Sequence, residues 1–169
     1  MRCDLRLNGL LPALLAMLFV THAHAQSPAH EQWIRTSTNK AMALFLSQGI
    51  HALQSSVESC YPNADKQVNV EAFILQAERC TAEDHLGLIL FTAEKKRLGA
   101  AGKNFNHVFF NQGAHDARLK KFWQKRGMGE LEQKRLIDRI FAITYEEFLK
   151  PTTGLPANRT TPLPPPEQK

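Results

Sequence analysis

Beyond its first 20 residues the chain has no apolar run approaching the ~20 residues that a membrane-spanning helix needs. It lacks His-Glu-x-x-His, so a zincin-type metal site is not indicated, and it lacks Gly-x-Ser-x-Gly, so no nucleophile elbow surrounds Ser47, Ser55 or Ser56. No Cys-x-x-Cys-His is present, which removes covalent haem. The one phosphate-loop-like run, "GAAGKN" from Gly99, has the wrong spacing, puts Asn104 after Lys103, and follows a helical pattern where a strand is required. Proline is scarce until the end: six of nine prolines lie at or after Pro151. No internal repeat is visible. The sequence therefore indicates no cofactor, no metal ligand set and no catalytic residue with a motif behind it.

What is there begins with export. Arg2 and Arg6 precede the apolar run "LLPALLAMLFV", and "AHA" at Ala23 to Ala25 supplies small residues for cleavage before Gln26. Residues 1–25 are expected to be a signal peptide; the alternative is an uncleaved anchor. Cys3 lies too early to be a lipid-acceptor cysteine. The product is expected to be periplasmic or secreted, with no stable membrane span.

Only Cys60 and Cys80 remain after such cleavage. In an oxidising compartment an isolated pair reads as a disulfide; two thiols or half a metal site are the alternatives.

The helical signals are strong. Met42, Leu46, Ile50, Leu53, Val57 and Cys60 recur at steps of three and four, which predicts a first helix from Pro28 to Cys60. Pro62 is expected to end it. Val70, Phe73, Ile74 and Ala77 suggest a shorter second helix ending near Cys80. "TAED" from Thr81 resembles a capping box and suggests a third helix reaching Gly99, the most buried of the set. On this reading the disulfide fastens two helix C-terminal ends to the start of the third helix. Residues 99–116 show no period and read as an ordered loop pinned by Phe105, Phe109 and Phe110. Asp116 is a candidate N-cap for a fourth helix to Arg126, and a fifth, from about 130 to 150, is expected to bury Ile137, Ile140, Phe141, Tyr145 and Phe148. The expected fold is thus all-α, one domain of four to five helices over residues 26–150, with a disordered Pro-rich tail at 151–169.

Charge is unevenly placed. Residues 26–94 are net −4, whereas residues 95–126 carry nine basic side chains against Asp116 alone. Within that stretch "RLKKFWQKR", Arg118 to Arg126, has five basic residues around Phe122 and Trp123. The plain reading is a solvated surface helix held to the core by Leu119, Phe122 and Trp123. The functional reading is a binding face, with Lys120, Lys121, Trp123, Lys125 and Arg126 as its candidate residues. Its partner would be an anionic protein surface or an envelope component, and nucleic acid is not expected outside the cytoplasm.

A second candidate, for a small hydrolase or metal-dependent enzyme, is the set His107, His115 and Asp116, which could act as acid and base. The outline, a small exported helical protein with one disulfide, is similar in composition to periplasmic immunity proteins, inhibitors and secretion-apparatus accessories. That similarity rests on no shared motif and assigns no residue a role.

Overall fold

A 29-residue helix runs through the middle of the molecule and packs against every other helix. The computed structural model describes residues 27–98, 108–125 and 128–151. The expected signal peptide, the tail beyond Pro151, and Phe105, His107 and Arg126 lie outside them. The chain forms α1 (Pro28–Gln48), α2 (Ile50–Asp65), α3 (Val70–Leu98), α4 (Gln112–Gln124) and α5 (Glu130–Leu149). The described residues are all-α, and α3 touches α1, α2, α4 and α5 while α1 also packs on α2 and α5.

Local chemistry explains most boundaries. Ser27 caps α1 by accepting from His30 N–H, with Pro28 in the first turn. The expected single helix from Pro28 to Cys60 is divided at Gly49, whose φ of +82° suits glycine. The Gly49 N–H donates back to the Phe45 carbonyl at 2.7 Å, closing α1 before α2 starts. Pro62 does not end α2, which continues to Asp65. Pro62 and Glu58 are both exposed, so the missing N–H of Pro62 falls on the solvent side of α2.

The expected break at Cys80–Thr81 is absent. Asn69 supplies the cap instead, its side chain accepting from Ala72 N–H at 3.0 Å, and α3 then runs unbroken past a fully buried Thr81. With no proline and one glycine in 29 residues, nothing in the backbone interrupts it. Cys60 and Cys80 are disulfide-bonded, with Cα atoms 5.5 Å apart. The bond therefore staples α2 to the middle of α3, side against side, rather than joining helix ends.

Around it lies a core of Leu119, Phe122 and Trp123 from α4 with Ala64 and Ala77. Trp123 is 1% exposed, and its ring meets Phe122 and Phe73 edge-on. A second cluster joins Ala41, Leu53, Val57, Leu86, Phe91 and Phe110; a third joins Ile34, Ala82, Ile140 and Ile143. No helix of the described residues is long and apolar enough to cross a membrane.

Candidate functional site

The middle of α3 is buried on every side, yet it carries Glu78, Glu83, Asp84 and His85. Each makes at least one side-chain hydrogen bond, which offsets part of the cost of its burial. Glu78 Oε2 meets His30 Nδ1 of α1 at 2.8 Å, and His30 Nε2 reaches Glu71 at 3.1 Å. Burial pushes the Glu78 carboxyl up to about 7 against the opposing pull of His30. Glu83 accepts from Ser56 of α2 and from Arg79.

Asp84, fully buried, accepts from Arg118 Nε at 3.0 Å and Nη2 at 2.5 Å and from the Tyr61 hydroxyl at 3.1 Å. The guanidinium also donates to the Phe109 carbonyl and lies 3.7 Å from that ring's centroid. Burial and the neighbouring Asp84 carboxylate raise the Tyr61 phenol well above its ordinary range.

Arg118, the first basic residue of the stretch from 118 to 126, is therefore part of the internal fastening between α3 and α4. The three lysines that follow in the described residues are exposed. Lys120 and Lys121 make no ion pair among the described residues, and Lys125 lies 3.7 Å from Asp65. Trp123 is enclosed and serves this edge by holding α4 in place, not by presenting its ring.

Phe110 lies against Gly87, His115 against His85, and Arg118 against Asp84, so α4 runs antiparallel to α3. Its lysine-bearing end sits beside Cys80 in the core cluster. Lys95, Lys96 and Arg97 stand at the far end of α3. Cys80 to Lys96 is sixteen residues, about 24 Å of helix. The charge that is continuous in sequence is thus divided in space.

His115 and Asp116 do come together, and His85 joins them. His115 Nδ1 meets Asp116 Oδ1 at 2.9 Å, and His115 Nε2 meets His85 Nδ1 at 2.8 Å. The N-cap of α4 is Asn111, which accepts from Ala114 N–H at 2.9 Å; Asp116 lies beyond the first turn and accepts from Gln112 instead. Both rings are buried, and burial together with His115 depresses the His85 pKa to about 3, so His85 is neutral.

These residues line a cleft of about 620 Å³ between α3, α4 and α5. Phe141 and Tyr145, expected in the core, are 38% and 44% exposed and form its wall. They lie on the α5 face toward this opening, whereas Ile140, Ile143 and Thr144 face α1 and α3.

Chemically, the chain from Asp116 to His115 to His85 can accept or relay a proton. No hydroxyl or thiol among the described residues is hydrogen-bonded to either ring. Nor is any group of three His, Cys, Asp or Glu side chains there placed to hold a metal ion.

From the sequence Asp84 reads only as part of the "TAED" cap, and His85 and Glu78 carry no role. For Asp84 and His85 the one signal was that ionisable residues stand in the helix expected to be the most buried. Comparison with known proteins brings no match to a protein-family model, a curated protein or a solved structure.

Proposed function

We propose that this is an exported, non-enzymatic helical binding module that engages an anionic surface of a protein or envelope partner through Lys120, Lys121 and Lys125. The observation that carries this reading is the contrast within one helix. Leu119, Phe122 and Trp123 fix α4 to the stapled core, while the lysines between and after them are exposed. Cations held on a rigid element lose little order on binding, and solvent-facing cations speed encounter with an anionic partner. Export is supported by the disulfide, which persists in oxidising compartments, and by the signal-like run at 1–25.

The hydrolase alternative rests on His107, His115 and Asp116; the last two meet at 2.9 Å, and His107 lies outside the described residues.

The test is capture of a partner from envelope extract by the oxidised protein at low and high salt, beside the variant Lys120→Glu, Lys121→Glu, Lys125→Glu. The reading expects one partner to be retained by the wild type at low salt, released at high salt and lost by the variant. Equal, salt-insensitive recovery by both proteins would contradict it.

A further inference from the structure

We propose that the cleft between α3, α4 and α5 is the docking site of the chain's own proline-rich tail, residues 162–166, laid as a polyproline helix against Phe141, Tyr145 and Phe148. This site is separate from the lysine edge and does not rest on it.

The first argument is the wall. Phe141, Tyr145 and Phe148 form a ladder along α5, with successive ring centroids 6.2 and 6.3 Å apart and the first two planes 6° from parallel. Phe141 and Tyr145 are exposed, and Leu88, Ile89 and Ile137 add apolar lining. An aromatic-lined groove is what a P-x-x-P segment recognises. Residues 162–166 read Pro-Leu-Pro-Pro-Pro and carry that pattern. In a polyproline helix Pro162 and Pro165 share one face about 9 Å apart. Phe141 and Phe148 stand about 10 Å apart along α5. Proline fixes φ in advance, so ordering this run costs little entropy.

Reach and charge select the tail as occupant and set its direction. The ten residues 152–161 can span up to about 33 Å. The far end of the cleft, at Ile137, lies about 21 Å back from Pro151 along α5. Gly154 falls in this span and suits a reversal of the chain. Such a tether supplies an effective concentration on the order of mM, so a weak contact suffices. Ile140 packs with Ala82, Phe141 against His85 and Phe148 with Phe91, so α5 runs parallel to α3. Asp116 and Asp138 therefore stand at the Ile137 end of the cleft and Lys96 at the Phe148 end. With Pro162 at the first end and Pro166 at the second, Arg159 precedes the run beside the two carboxylates and Glu167 follows it beside Lys96. The carboxylates already hold His115 and Lys134, which makes Lys96 the stronger anchor.

The experiment records NMR spectra of the oxidised full chain. The Phe141 and Tyr145 ring protons should show nuclear Overhauser contacts to the δ-protons of Pro162 and Pro165. The amides of Leu163 and Glu167 should relax like those of the helices. Tyr145→Ala, and separately Pro162→Gly with Pro165→Gly, should abolish the Phe141 contacts and give both amides the relaxation of a free chain, with the melting temperature nearly unchanged. Glu167→Lys should weaken docking several-fold, and Lys96→Glu in the same chain should restore it. A mixture of labelled and unlabelled chains separates a chain's own tail from that of a second copy. Free-chain relaxation without contacts in the wild type, contacts found only between two copies, contacts to Phe141 from residues 99–107 instead, or contacts that survive the proline variant would each overturn the proposal.

Discussion

Phe110 rests directly on Gly87: a Cβ built on that glycine would lie 2.0 Å from Phe110 Cε1. The ring is fully buried and belongs to the cluster with Leu53, Val57 and Leu86. Gly87 thus holds the entry to α4 against α3, and it does so by having no side chain.

Gly87→Ala is therefore expected to destabilise the protein. Alanine would favour an exposed helix by about 1 kcal/mol over glycine, so the sign of the change separates the two effects. Overpacking against a buried ring costs roughly 1–3 kcal/mol or more and should win. Urea denaturation with an unchanged slope and a lower midpoint is the expected result; a raised midpoint would show that Phe110 is free to shift.

Reduction of Cys60–Cys80 should lower the melting temperature. Closing a loop between residues 20 apart constrains the unfolded chain by about 3 kcal/mol on chain entropy alone. Calorimetry with and without reductant measures the shift. Free thiols in protein recovered from an oxidising compartment would contradict the staple.

Within the stretch from Arg118 to Lys125, basic residues should behave in opposite ways. Arg118→Ala leaves Asp84 charged and fully buried, and removing one partner of such a pair costs about 3–5 kcal/mol; the side chain's partial exposure places this pair toward the lower end. Trp123→Ala should also cost about 3–5 kcal/mol. Lys121→Ala should change stability by less than about 0.5 kcal/mol. Denaturation midpoints of the three variants check the contrast.

Glu78 should make stability depend on pH. Its carboxyl rises from 4.5 to about 7 on folding, through burial, so the folded chain holds this proton more tightly than the unfolded chain. Its contribution is complete below about 4.5 and is lost as pH climbs through about 7. Glu78→Gln should therefore flatten the fall in stability between mildly acidic and mildly alkaline pH. A variant that keeps the wild-type slope would assign the dependence to another group.

The sequence made the helical class, the cysteine pairing and the burial of Leu119, Phe122 and Trp123 readable, because each rests on local spacing or on a residue with one plausible use. The division at Gly49 was hidden because the apolar stripe keeps its period across the break. The continuity of α3 through Thr81 was hidden for the opposite reason: a capping pattern is present, but Asn69 and burial decide where the helix begins. Asn111 and Asp116 were equally able to cap α4, and only the position of the turn before it separates them. The pairing of His85 with His115 joins residues thirty apart and leaves no local trace. Phe141 and Tyr145 satisfy a helical stripe, and the stripe does not say that part of it faces a cleft.

The central claim is that α4 is a fixed platform for exposed cations, so fold and binding should separate cleanly. The most direct measurement is the association rate with the captured partner as a function of ionic strength, for the wild type and for the Lys120, Lys121, Lys125 glutamate variant. The wild-type rate should fall steeply as salt rises, and the variant should associate slowly with little or inverted salt dependence, while both melt at nearly the same temperature. The same salt dependence in both proteins would contradict the account and leave the lysines as solvated surface.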